Sequence, residues 1–294
     1  MRLDIGFVFV VITSTAAMPS KSAVNDIFPA DFVPLPPETY VATTYFFDKQ
    51  SEGPYSGGEK VADWKIRSQS AVFRLAKFKE WDGTVVAGSF VAGVTQQSLS
   101  GLGVPSTVNE HASGLRDIRF NGTAWLVNKP SSREYFAVNA TWLLPTGQYK
   151  YNEVQNIGEN RHQLALTFAW LRGFGDRWNF EVIGEMAGYS KNKNYYPGKV
   201  TQDKSPTRAI TSYLRYEWKN GFETYLGYEW NRGGGTAQNG SIQNDKPNHD
   251  RSMIGLIYPI NQTNIVNFRV SKDANVLNGF GASREVSFRW LNFF

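Results

Sequence analysis

Apolar and polar residues alternate along most of this chain. From the fourth predicted strand on, the two sets keep to opposite parities. The even positions carry Ile118, Phe120, Ala124 and Leu126, then Phe136, Val138, Trp142 and Leu144, then Leu164, Leu166, Phe168 and Trp170. Trp178, Phe180, Val182, Leu214, Trp218, Phe222, Leu226, Ile254, Phe268, Val286, Phe288 and Trp290 continue the series. The odd positions carry the charges: Asp117, Arg119, Arg161, Glu181, Glu185, Arg215, Glu217, Glu223, Glu229, Arg251, Arg269, Glu285 and Arg289. A period of two is the mark of a strand with one apolar and one polar face. A slip of one residue would exchange the faces, so the register is strongly specified. The pattern predicts about twelve strands, roughly at 39–47, 66–79, 84–94, 115–127, 133–145, 161–171, 177–189, 208–219, 222–232, 251–259, 263–271 and 283–294. Helical periodicity is poor throughout.

The connections alternate in length. Short ones fall at Glu80–Gly83, Asn128–Ser132, Arg172–Asp176, Asn220–Gly221 and Ile260–Gln262. Long ones fall at Asp48–Lys65, Thr95–Gly114, Thr146–Asn160, Ser190–Thr207, Gly233–Asp250 and Lys272–Ala282. An up-and-down membrane barrel with short periplasmic turns and long outer loops has this arrangement. A soluble two-sheet sandwich has no reason to put every long loop at one end. It would also have to bury an apolar face from a dozen strands with no helix to cover it. In a barrel the odd-parity charges line a wet lumen, whereas a charge on the lipid face costs about 2–4 kcal/mol at mid-bilayer. Trp170, Trp178, Trp218, Phe222 and Trp290 sit beside short turns on the outward parity, which predicts an aromatic girdle at the periplasmic interface, with Phe294 at its rim. The fold expected is therefore all-β: a transmembrane antiparallel up-and-down barrel with both termini periplasmic.

The first three strands are less regular. Phe73 and Leu75 oppose Arg74, but Lys77 and Lys79 then fall on the apolar parity, near an end where lysine can snorkel. Val85 to Val94 is apolar on both faces, which predicts packing against the N-terminal lead-in or against a loop folded into the lumen.

The composition narrows the choices further. In 294 residues there is no cysteine, 15% are aromatic, and the formal charge is +5. Mean hydropathy is −0.39, too low for a bundle of membrane helices. A barrel evades that test, because only alternate residues meet lipid. Residues 1–22 read as a secretory signal, with Arg2 before an apolar stretch and small residues near its end. Residues 23–38 hold Pro29, Pro34, Pro36 and Pro37 and read as a Pro-rich periplasmic lead-in to a barrel at 39–294. No basic run or motif suggests nucleic acid as a partner.

Little in the chain suggests catalysis. His111, His162 and His249 have no metal-ligand spacing, so no metal and no cofactor are expected. His162 is the one candidate for a barrel phospholipase, but no serine and acid accompany it. Glu110 and Asp250, beside His111 and His249, are a weak protease signal, and Gly233–Gly235 lacks the context of a phosphate loop. The lumen residues are the functional candidates: the odd-parity charges, with Arg119 against Asp117 and Arg215 against Glu217 as expected pairs. Tyr213 and Tyr225, with Tyr135 and Tyr189, offer stacking surface to an aromatic solute or simply pack.

Several short stretches carry a family likeness. They are Asp31-Phe-Val-Pro-Leu-Pro-Pro37, Ile157-Gly-Glu-Asn-Arg161, Tyr195-Tyr-Pro-Gly198, Asn248-His-Asp-Arg251 and the aromatic closing strand. In this order the chain resembles the outer-membrane transporter family of the meta-pathway of phenol degradation, a family of porin-like β-barrels. The resemblance implies transport of aromatic or hydrophobic compounds and implies no catalytic residues. Glu159 departs from the smaller or neutral residue expected there. The expectation is an outer-membrane channel for a small organic solute. Its partners are membrane lipid, lipopolysaccharide and, through the C-terminal strand, the barrel-assembly machinery. An outer-membrane hydrolase and a plugged structural barrel are the rival expectations.

Overall fold

The alternating segments pair antiparallel with their sequence neighbours, and the last pairs with the first. The computed structural model describes residues 26–196, 199–219 and 221–294, so the predicted signal at 1–22 lies outside the described residues. Its strands are β1 (Tyr40–Ser56), β2 (Glu59–Trp81), β3 (Thr84–Gly101), β4 (His111–Leu115), β5 (Arg119–Lys129), β6 (Glu134–Leu143), β7 (Gln163–Phe174), β8 (Trp178–Tyr189) and β9 (Asn192–Tyr195). They continue with β10 (Val200–Lys204), β11 (Thr207–Glu217), β12 (Glu223–Gly233), β13 (Thr236–Gln238), β14 (Ser241–Ile242), β15 (His249–Asn261), β16 (Asn264–Ala274) and β17 (Gly279–Phe293). β4 and β5 pair with successive parts of β3 and act as one broken stave. The result is a closed barrel of twelve staves, and β9, β10, β13 and β14 form a separate four-stranded sheet at the long-loop end.

Closure rests on the β1–β17 ladder, from Val41 opposite Phe293 to Tyr55 opposite Gly279. Beyond its last pair, Tyr40 N–H donates to Phe294 O at 2.8 Å, and Phe294 N–H donates to Tyr40 O at 3.0 Å. The two rings stack 5.7 Å apart. Asn292, which interrupts the apolar series, donates to Asn264 Oδ1 at 3.1 Å, the same oxygen that accepts the Trp290 indole N–H at 3.0 Å.

One feature differs from the sequence expectation. The segment Asp48–Lys65 is not a long loop: β1 and β2 continue through it as a projecting hairpin. Its turn is Gly57-Gly58, both at positive φ (62° and 92°), which glycine adopts without strain. In β2 the buried row is even-numbered, as the opposition of Phe73 and Leu75 to Arg74 implies: Trp64, Ile66, Val72, Ala76 and Phe78. Directly opposed residues share a face. Thr43 opposes Arg74, and Arg74 opposes Val91, so the parity changes on entering β2 and changes back on leaving it. Arg74 therefore points into the lumen, while Phe73 and Leu75 are exposed.

Elsewhere the even row is exposed and apolar (Phe120, Leu126, Leu164, Leu166, Phe168, Leu214, Leu226, Ile254 and Phe268), while the odd row is buried. A continuous apolar band around a closed barrel is a surface for a bilayer, not for water. Phe168→Arg, at the middle of β7 on this band, is expected to destabilise the barrel in lipid vesicles by about 2–4 kcal/mol. Denaturant unfolding of the reconstituted protein checks this. Thr167→Ser, facing inward one residue away, is expected to leave the midpoint nearly unchanged.

Candidate functional site

The barrel's interior is occupied by its own N-terminal lead-in. Residues 26–33 turn inside the lumen, and Phe28 is fully buried. Its ring lies 5.7 Å from Tyr45 and 6.4 Å from Phe47, both on β1. The guanidinium groups of Arg269 and Arg289 lie over it at 4.0 and 4.7 Å, within cation–π range. The backbone of this segment is held from all sides. Ala30 N–H donates to both carboxylate oxygens of Glu181, at 3.1 and 3.2 Å. Ile27 O accepts from Tyr213 Oη at 2.7 Å and from Arg269 Nη1 at 3.1 Å. Trp125 Nε1 donates to Phe32 O at 2.8 Å, Arg289 Nη2 donates to Pro29 O at 3.3 Å, and Arg289 also pairs with Asp31. Turns have no ladder to satisfy their amides and carbonyls, and here the wall's charged and phenolic groups do so. The apolar inner face of β3 is explained by the same segment, because Ala87 packs in one cluster with Ile27 and Phe32, and Val91 packs in another with Phe28.

The inward charges pair across strands. Arg215 Nε lies 2.5 Å from Glu181 on β8, and the same guanidinium holds Glu223 on β12. Arg251 pairs with Asp273 at 2.7 Å, and Arg269 with Glu285 at 3.3 Å. Among the described residues Arg215 turns away from Glu217: Arg215 and Arg269 reach diagonal neighbours on adjacent staves, and Arg251 meets the residue directly opposite it. Asp117 is engaged otherwise, accepting from the N–H groups of Gly147 at 2.7 Å and Glu159 at 2.9 Å. Asp117, Arg119, Arg161, Glu181, Glu185, Tyr213, Arg215, Tyr225, Glu229, Arg251, Arg269, Glu285 and Arg289 are all buried inside, and Glu217 and Glu223 are half-buried at the short-turn mouth.

At that end Trp178, Trp218, Trp290 and Phe294 are exposed on the outer surface, with Trp170 and Phe222 half-buried among them. Tyr216 bridges Trp178 and Trp218, at centroid distances of 4.8 and 4.9 Å. His162 also lies outside: its ring stacks on Trp142 at 5.9 Å, and its Nδ1 accepts the indole N–H at 3.3 Å. Among the described residues no group of three or more histidines and carboxylates could hold a metal.

The lead-in divides the lumen. On the long-loop side is a chamber of about 390 Å³, bounded by Arg119, Arg161, Arg251, Tyr149 and Phe280. On the short-turn side is one of about 300 Å³, bounded by Leu35, Phe78, Tyr135, Arg215 and Phe293. A gap of about 70 Å³ remains between the lead-in and the wall, beside Arg74, Asn121, Thr123 and Asn139.

The loop 144–162 roofs the upper chamber. Gly147 and Gly158 cross so closely that a Cβ on either would come within 2.9 Å of the other's backbone. The next residue, Glu159, lies 3.4 Å from Lys204 and 3.7 Å from Arg161. It is thus the counter-charge for two cations, which a neutral residue could not supply. The tether made by Asp117 and Glu159 and the cross-loop bonds of Asn109 are long-range contacts, and no local pattern announces them.

The family model described as "Putative MetA-pathway of phenol degradation" matches residues 49–290. An outer membrane channel from Pseudomonas putida F1 is similar in structure, with a TM-score of 0.86 and 20% identity, covering 92% of this chain and 100% of that one. The β domain of the Bordetella autotransporter BrkA is more distant, at 0.54 and 10% identity over 86% of this chain and 98% of that one. The transport unit of the Escherichia coli autotransporter AIDA-I is at 0.51 and 11%, over 92% and 94%. No curated protein matches the chain.

Burial raises the Glu159 carboxyl, but Lys204 and Arg161 outweigh it and hold it below the usual carboxylate range. A depressed carboxylate contributes stability that is present above its unfolded value, about pH 4.3, and is lost as pH falls through the depressed one. Protease digestion of folded protein across acid pH is expected to show loop 144–162 becoming cleavable only as pH falls below the usual carboxylate range. In Glu159→Gln the loop should be equally cleavable at neutral and acid pH.

Proposed function

Because this chain belongs to the phenol-degradation family whose model spans residues 49–290, we propose that it is an outer-membrane channel passing small aromatic or hydrophobic organic solutes. The observation that carries this reading is the interior: two chambers on either side of a clamped lead-in, with a small gap between the lead-in and the wall. A barrel kept only as a scaffold has no use for chambers that mix aromatic walls with charge. In this reading the buried odd-row charges line the pore and Tyr135 and Tyr149 give the chambers their aromatic faces, while Tyr213 and Tyr225 of the same row pack beneath the lead-in. Charge pairs order water along the wall, and the aromatic faces receive the solute.

The outward aromatic row then marks the periplasmic interface, with both termini on that side and the long loops outside. The apolar band meets lipid, the long-loop rim meets lipopolysaccharide, and the barrel-assembly machinery reads the C-terminal strand through Trp290 and Phe294. Residues 1–22 serve as the export signal. The hydrolase reading lacks support from His162, whose ring stacks on Trp142 on the outer surface.

Planar-bilayer conductance and liposome swelling with the folded protein test the proposal. Small discrete conductance steps are expected from the intact chain, and larger ones from a chain lacking residues 26–33. Absence of both conductance and solute flux from either protein would remove the channel reading. Hydrolysis of phospholipid or peptide that disappears in His162→Ala would replace it with the enzyme.

A further inference from the structure

Passage of a neutral aromatic solute leaves one feature of the upper chamber unused. Arg161 is 4% exposed and lines that chamber. Its Nη2 donates to Gln202, but neither Nε nor Nη1 has a hydrogen-bond partner among the described residues. The Glu159 carboxylate beside it lies 3.7 Å from Nε, beyond hydrogen-bond reach, and accepts from Lys204 instead. A buried guanidinium with unspent donors costs free energy, and an anionic acceptor removes that cost.

The carboxylates that line the chamber are engaged elsewhere. Asp117 accepts two backbone amides, Glu153 pairs with Lys150 at 2.7 Å, Asp245 accepts from Thr236 at 2.7 Å, and Asp273 holds Arg251. Over the whole lining Lys49, Arg116, Arg119, Arg161, Lys204 and Arg251 face five carboxylates, so the chamber keeps an excess of one positive charge. The same lining holds two phenol rings, Tyr149 and Tyr195. Asn192 donates to Tyr149 Oη at 3.1 Å, and Asn192 and Gln202 are opposed on the β9–β10 hairpin that also carries Tyr195. The volume of about 390 Å³ falls within the range of small-molecule sites.

We infer that the upper chamber is a binding site for a one-ring aromatic carboxylate, with its carboxylate on Arg161 and its ring against Tyr149 and Tyr195. The inference rests on the channel reading and adds to it the charge of the solute that the chamber selects. Neutral phenols would meet the rings but leave Arg161 unsatisfied.

Isothermal titration of the full folded protein in detergent tests this, with benzoate, benzyl alcohol and acetate as probes and empty micelles as blanks. Benzoate is expected to bind at least ~10-fold more tightly than benzyl alcohol or acetate, because a charge-assisted contact and a stacking surface must act together. Arg161→Gln should bring benzoate down to the level of benzyl alcohol without changing the latter. Equal affinities for benzoate and benzyl alcohol, or a preference that survives Arg161→Gln, would overturn the inference while leaving the channel reading intact. Acetate binding as tightly as benzoate would overturn the aromatic half and with it the site as stated. If Arg161→Gln does not fold, the wild-type preference is tested in high salt, where an ionic contact must weaken; a preference unmoved by salt counts against it. Absence of binding by all three probes overturns the inference, and conductance then decides the channel reading separately.

Discussion

The structure depends on one constraint: inside a bilayer no backbone N–H or C=O can be left for water. A sheet meets it only by closing, and closing here means that the two ends of the chain must find each other. The β1–β17 ladder does this from Val41–Phe293 upward, sealed at the rim by the reciprocal Tyr40–Phe294 bonds. The period-two pattern follows from the same closure. Each stave has one face toward lipid and one toward the interior, so polarity must alternate everywhere or the barrel has no stable register.

The interior solves the opposite problem. A ring of buried charges needs partners, and a turn-rich segment needs hydrogen bonds. Each supplies the other in this barrel. Glu181 is shared between Arg215 and the Ala30 amide, and Arg289 serves Asp31 and Pro29 O. Phe28 sits under two guanidinium groups, of which Arg269 is tied to Ser287 and Glu285 of the wall and Arg289 to Asp31 and Pro29 of the lead-in itself. Buried pairs of this kind are weak net contributors to stability, but removing one partner strands the other. The lead-in is consequently part of the wall's electrostatic balance and not an accessory to it.

Much of this was legible in the residues. The stave count follows from the alternation and the spacing of the connections, and the buried odd row from parity, while Asn292, which interrupts the apolar series, makes a contact to Asn264. The projecting first hairpin was signalled by Gly57-Gly58, a two-residue turn that a search for long loops passes over. The reversed facing of β2 showed in Phe73 and Leu75 set against Arg74, and the pairing partners give it its register. The lead-in's place could not be read locally: Ala30 meets Glu181 at a separation of 151 residues and Ile27 meets Arg269 at 242. Arg161 could be placed on the inward face from parity, yet its unspent donors depend on where Glu159, Gln202 and Lys204 settle.

The clamp on residues 26–33 also orders the folding of the molecule in time. The groups that hold this segment come from β1, β5, β8, β11, β16 and β17, and the last two are the final staves of the chain. Contacts at such separation form late, after the shorter loops have closed. The clamp on residues 26–33 therefore cannot be complete before β16 and β17 are in place, so the first described residues of the barrel gain their full set of contacts only with its last staves.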